Sequence, residues 1–167
     1  MTAALNTLTS KRPERIVVRR YTEDDIQEMV KRTAEFCAVH PFYKTIPFSS
    51  EKLTRVLQNN ITNTLFFCDV ATLNDRIIAG LAAMLTGYAM SETYFSEDII
   101  GYVIPSARGG IAIYRLIDEY VKWSIERRVH DMRISYTGDK EDEFKKLMAR
   151  HGFVLFGSLY TRNGEKK

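Results

Sequence analysis

The sequence predicts an α/β fold built on one sheet of mixed direction, and three observations carry that. Three strand-like stretches, 65–71, 77–85 and 99–104, follow one another with no clear amphipathic helix between them. Ahead of this block, apolar residues recur at helical spacing. From Pro105 onward, helix and strand patterns alternate, which requires right-handed crossovers onto the same sheet. The resulting order is β-α-α-β-β-β-α-β-α-β(β), antiparallel in its first half, with helices on both faces.

At 167 residues the chain has the size of one domain. A hydrophobic content of 45% supplies a core and excludes a wholly disordered chain. Two cysteines, Cys37 and Cys68, are too few for a disulfide framework. No apolar run approaches the roughly 18 residues of a membrane span. Met1 to Glu14 lack the apolar centre of a signal peptide. The expectation is a cytoplasmic protein with reduced thiols and no membrane partner. Residues 1–14 read as a flexible lead-in, 15–162 as the folded domain and 163–167 as a flexible C-terminus. The formal charge of +3 sets 24 basic against 21 acidic residues, so composition alone does not point to nucleic acid. The basic cluster Lys11, Arg12, Arg15, Arg19 and Arg20 reads as a solvated tail and first strand.

The elements follow in order. Ile16 to Tyr21 is short and β-branched, hence a strand. Thr22 to Asp25 offers a cap and acids for the positive end of a helix dipole. Ile26, Met29, Val30, Thr33, Ala34 and Cys37 give that helix one apolar face, and His40-Pro41 ends it. An aromatic connection, 42–49, leads to a second helix from Ser50 with Leu53, Val56 and Leu57 on its face. In 65–71, Phe66, Cys68 and Val70 share one side of a strand, and Leu65 and Phe67 the other. Asn74-Asp75 marks a turn. The apolar run 77–85 fits a strand or a buried helix; the preceding turn and Gly80 favour a hairpin strand. Residues 87–96 read as a connection, and 99–104 as a strand stopped by Pro105. A long helix follows, with Ile113, Leu116, Ile117, Tyr120, Val121 and Ile125 as its apolar stripe and Trp123 toward its polar side. Met132, Ile134 and Tyr136 alternate as a strand. Phe144, Leu147 and Met148 mark a last helix closed by a glycine cap at Gly152. Residues 153–162 hold one or two final strands.

The segment that carries chemistry is the strand, Pro105, Arg108-Gly109-Gly110, then helix. Free N–H groups at a helix start bind anions, and a glycine pair lets a ligand approach the backbone. Arg108 adds a fork-shaped cation. Neither G-x-x-x-x-G-K-S/T nor G-x-G-x-x-G occurs, so this is not a nucleotide loop of either kind. By itself, Gly-Gly before a helix is also an ordinary turn.

The run Tyr102-Val103-Ile104-Pro105-Ser106-Ala107-Arg108-Gly109-Gly110, with Leu116-Ile117 after it, resembles the acetyl-CoA-binding segment of the GNAT N-acetyltransferases. That pattern is a strand ending in Val-x-Pro, two residues, Arg-Gly, and a helix with a leucine pair. Gly152-Phe153 resembles the family's Gly-Phe at its last helix–strand junction, and the likeness spans roughly residues 15–162. The Arg-Gly-Gly form, with Arg115-Leu116 following, looks like members met in phage genomes. The resemblance implies an acetyl-CoA-dependent acyltransferase acting on a primary amine, such as a host-protein lysine or N-terminus or a small amine. Acetyl-CoA would lie between the strand ending at Ile104 and that at 132–136. Its pyrophosphate would sit on Arg108, Gly109, Gly110, Ile111, Ala112 and Ile113, and its pantetheine beside Tyr102 and Val103. The Val103 N–H would face the oxyanion. Glu97 and Asp98 are the candidate bases, with Glu92 next; all three also read as surface acids.

Two departures from the family pattern stand out. Ile111 and Ile113 occupy its small-residue positions; a register shifted to Ala107–Ala112 restores them but loses the arginine. Met148 stands where many members carry a tyrosine acid, leaving water or Tyr136 for that role. No metal is implied: His40, His130 and His151 lack ligand spacing. His40 falls in the connection that lines the acceptor groove in the family. Phe42, Tyr43, Phe48, Tyr88, Tyr94 and Phe95 fit an acceptor site or a homodimer patch equally well. The competing reading is a catalytically silent interaction protein on the same fold.

Overall fold

The computed structural model describes residues 15–138 and 140–157. The elements are β1 (Ile16–Arg20), α1 (Ile26–Val39), α2 (Ser50–Asn60), β2 (Phe66–Leu73), β3 (Arg76–Gly87), β4 (Tyr94–Val103), α3 (Ile111–Glu126), β5 (Asp131–Arg133) and α4 (Glu141–Arg150). The strands form one sheet in the order 1-2-3-4-5. The first three pairings are antiparallel and β4–β5 is parallel. Alternation along the strands sends side chains to two cores. Phe66, Cys68 and Val70 meet Ile26 and Met29 of α1 and Leu57 of α2. Phe67, Ala71 and Leu81 meet Leu116, Ile117 and Tyr120 of α3 and Met148 of α4. The sheet therefore has helices on both faces, as its sequence predicts.

Local chemistry sets the joints. Asn74 and Asp75 both have positive φ, the conformation of a tight hairpin turn between β2 and β3. Ser49 caps α2 by accepting the Lys52 N–H at 3.2 Å. Asp25, at the head of α1, accepts the Thr22 N–H at 2.7 Å and a two-pronged bond from Arg19. The Arg19 guanidinium holds its carboxyl below the usual range and ties β1 to α1. Gly152, at φ 80°, closes α4, and the Phe153 N–H returns to the Met148 carbonyl at 3.0 Å.

Several expectations need correction. β4 begins at Tyr94, because Tyr94 to Ser96 pair with Gly87 to Leu85; the connection shrinks accordingly. β5 stops at Arg133, three residues short of the expected end, because it leaves β4 after three rungs. Trp123 is in the core and Ile125 is 62% exposed. The buried stripe is Ala112, Leu116, Ile117, Tyr120, Trp123 and Ser124, rotated about one position from the expected one. Residues 153–157 form no strand, for they meet no ladder partner among the described residues. The flexible ends expected at 1–14 and 163–167 lie outside the described residues, as does the remainder of the final strands.

Tyr102 supplies a stability test. Its ring lies over Gly80, where an added Cβ would stand 2.9 Å from Cε1. Its hydroxyl is buried with no hydrogen-bond partner among the described residues. Desolvating an unpartnered hydroxyl costs about 1 kcal/mol or more, so Tyr102→Phe raises the melting temperature by about 3 °C. An unchanged or lower midpoint in thermal unfolding contradicts this.

Candidate active site

The site begins where β4 and β5 part. They share three rungs, Phe95–Asp131, Ser96–Met132 and Glu97–Arg133. β4 then runs on to Val103 with no ladder partner on its β5 side among the described residues. A bulge accompanies the parting. Ala82 pairs with Ile100 and Ala83 with Asp98, leaving Ile99 as the extra residue. The Ile104 N–H donates to Ile78 of β3 at 2.9 Å. Strand alternation therefore turns the backbone N–H and C=O of Val103 and Gly101 into the gap. By the same alternation Tyr102 directs its backbone groups to β3, and its ring is buried against the α1 side. Of the expected pair, Val103 lines the gap and Tyr102 does not. Gly101, which no sequence motif marks, does.

A buried polar chain holds the strands at the point of parting. The Tyr120 hydroxyl donates to the Arg133 carbonyl at 3.2 Å. It also meets Ser96 Oγ at 2.8 Å, and Ser96 Oγ meets Ser124 Oγ at 2.9 Å. Burial pushes the Tyr120 hydroxyl up to about 12, so it stays a neutral donor. Helix periodicity places Tyr120 on the apolar stripe and leaves Ser124 out, and it does not reveal that the two help fasten β4 to β5.

At the other end of β4, a 3-10 turn, Pro105–Ala107, leads to Arg108, Gly109 and Gly110. Gly109 has φ 75°, a conformation that favours glycine. Gly110 is the N-cap of α3 and supplies no side-chain bond to it; the first turn carries no acid. The N–H groups of Ile111, Ala112 and Ile113 are thus the uncapped donors of a 16-residue helix. Gly109 and Gly110 are exposed beside them, as is Arg108. Ile111 is half exposed, while Ile113 packs against the core, so the donors are backbone groups that neither side chain replaces. A helix start of this kind suits an anion by geometry and dipole.

The two candidate bases are separated by the pleat. Glu97 Oε1 accepts the Thr86 hydroxyl at 3.0 Å, and its strand position puts it on the α1 side. Asp98 lies at the gap. Oδ1 accepts the Ser135 N–H at 2.7 Å and Oδ2 accepts Ser135 Oγ–H at 3.1 Å, across the divergence of the strands. Burial pushes the Asp98 carboxyl up, opposed by those two bonds. Glu92 is exposed. Tyr136 stacks on Phe144 at 4.4 Å between centroids, and its hydroxyl accepts the Lys140 N–H at the head of α4 at 2.8 Å. Met148 is buried in the core. Burial pushes the Cys68 thiol up to about 12, which leaves it a packing residue. Among the described residues no group of His, Cys, Asp and Glu could hold a metal ion, and no helix is long and apolar enough to cross a membrane.

Solved structures share this fold. A predicted acetyltransferase from Clostridium acetobutylicum, solved with acetyl-CoA, superposes with a TM-score of 0.68 at 20% identity, covering 89% of this chain and 96% of the other. The aminoglycoside N-acetyltransferase AAC(6')-Iy, in complex with CoA, gives 0.69 at 14% identity over 93% and 98%. A transcriptional regulator from Bacillus halodurans C-125 gives 0.69 at 17% identity over 89% and 99%. The fold is that of the GNAT acetyltransferases. Identities this low establish the fold and carry no substrate with them. No family model matches the sequence, and no curated protein matches it.

Proposed function

We propose that the chain is an acetyl-CoA-dependent N-acetyltransferase that acts on a primary amine by direct transfer. The observation that carries this is the pairing of the open β4 edge with the uncapped start of α3 at the end of the same strand. A thioester lying along β4 meets the N–H groups of Gly101 and Val103, and a pyrophosphate meets those of Ile111, Ala112 and Ile113, with Arg108 alongside. The variant loop fits because its donors are backbone groups. Two of the solved neighbours carry acetyl-CoA and CoA, which supports the same reading.

In this scheme Asp98 accepts the proton that the amine loses as its nitrogen bonds the acetyl carbon. The Val103 N–H donates to the carbonyl oxygen as negative charge gathers there. The C–S bond breaks and the thiolate takes a proton from water or Tyr136. Glu97, turned to the α1 side, belongs to the acceptor's surroundings. The acceptor is a protein amine or a small amine. Phe42, Phe48 and Tyr94 remain exposed and suit the rim of such a site, or the contact of a homodimer.

Calorimetry with acetyl-CoA tests the reading. The wild type binds it in the micromolar range, and Arg108→Glu weakens binding by about tenfold or more. CoA release with a lysine peptide and with sisomicin as probe amines then sorts protein from small-molecule acceptors. Folded wild type that binds no acetyl-CoA would overturn the proposal. It would favour the second reading, an interaction protein on this fold, which the core methionine at the expected acid position also suits.

A further inference from the structure

His40 is the buried polar residue of the connection between α1 and α2, and both its ring nitrogens are engaged. Nδ1 accepts the backbone N–H groups of Phe42 at 3.2 Å and Tyr43 at 3.3 Å. That places the ring proton on Nε2. Nε2 stands 3.0 Å from Thr137 Oγ1, a partner 97 residues away in sequence, and donates to it. The rings of Phe36 and Tyr43 flank the imidazole with centroids at 5.0 and 4.8 Å.

Thr137 lies two residues beyond Ser135, whose backbone N–H and hydroxyl each donate a hydrogen bond to the Asp98 carboxylate. One stretch of backbone, 135–137, is thus tied to β4 at one end and to the α1–α2 connection at the other. Its own strand offers little to hold it, for β5 has three rungs and ends at Arg133. Tyr136, between the two ties, turns to α4. The titratable groups around Asp98 are Glu97, Tyr43 and Tyr120. None of these makes a side-chain hydrogen bond to it among the described residues, so Ser135 orients it.

We propose that His40 is a positioning residue, which through Thr137 fixes the stretch 135–137 so that Ser135 keeps both hydrogen bonds to Asp98. The family resemblance puts His40 in the connection that lines the acceptor groove. The structure turns its nitrogens to the protein instead. The consequence for catalysis rests on the transferase reading, in which a misplaced Asp98 meets the amine poorly. The tie itself does not depend on that reading.

The test is proton–nitrogen NMR of the full chain across a pH series. The Ser135 amide proton, bonded to a carboxylate, shifts as Asp98 titrates. Thr137→Val removes the acceptor of the His40 bond at an exposed position, where shape is kept. His40→Asn keeps an oxygen for the Phe42 and Tyr43 N–H groups but cannot reach Thr137. Thr137→Ser keeps the hydroxyl. The pH-dependent shift of Ser135 loses most of its amplitude in Thr137→Val and His40→Asn, and its amide exchange quickens by about tenfold. Thr137→Ser restores both. Unchanged amplitude and exchange at Ser135 in Thr137→Val would overturn the proposal. No acetyl-CoA is needed, so a wild type that binds none removes the transferase reading alone.

Discussion

Asp98→Asn lowers turnover by about a hundredfold or more while acetyl-CoA binding stays within about twofold. Asparagine keeps an oxygen for the Ser135 N–H, so the local structure survives. It cannot take the proton that the amine must lose. The wild-type pH profile carries the same information. Burial pushes the Asp98 carboxyl above the ordinary carboxylate range. A base works only when deprotonated, so activity falls as pH drops through that raised value, and the fall is absent in Asp98→Asn. Glu97→Gln is the control. Glu97 bonds Thr86 on the other side of the strand, and its loss costs no more than about threefold. A collapse in Glu97→Gln with Asp98→Asn active would reverse the assignment.

How much of this the sequence shows depends on the range of the interaction. Period-two alternation in 65–71 puts Phe66, Cys68 and Val70 on one side and Leu65 and Phe67 on the other; the first three and Phe67 reach the two cores, while Leu65, just before β2, is 57% exposed. The Asn74-Asp75 turn and the Gly152 cap are set by local backbone chemistry, and both stand. The buried stripe of α3 lies about one helical position from the one its sequence predicts, because Ile113 and Ile125 outweigh Ala112 and Ser124 in the hydrophobic pattern. Small residues mark where a helix approaches its sheet closely, and Ser124 is buried there because Ser96 satisfies it. The candidate site divides the same way. Arg108-Gly109-Gly110 is contiguous, so the sequence shows the turn into α3 that the structure places there. The Asp98–Ser135 and His40–Thr137 pairs join residues 37 and 97 positions apart. No local pattern announces them. The choice between Glu97 and Asp98 also depends on the bulge at Ile99, which re-aims the edge of β4 where it leaves β5.

Gly110→Trp abolishes acetyl-CoA binding, with affinity falling by about a hundredfold or more, and leaves the melting temperature within a few degrees of about the wild-type value. Gly110 is exposed at the N-cap of α3, so no core packing is disturbed. An added Cβ would stand 3.1 Å from the Ala107 carbonyl oxygen, a contact that the turn must ease by a small shift. The indole then occupies the space in front of the Ile111, Ala112 and Ile113 N–H groups. Gly109→Ala separates blockage from backbone strain. An added Cβ there meets nothing within 4 Å, but φ is 75°. It costs about 1 kcal/mol of stability and covers no donor. Weak binding in Gly110→Trp with near-normal binding in Gly109→Ala places the anion on the helix start. Equal losses in both would mean that the shape of the turn, and not its open donors, holds the ligand. Full binding in Gly110→Trp would leave the start of α3 without a ligand and remove the link between the open strand edge and the helix on which the transferase reading stands.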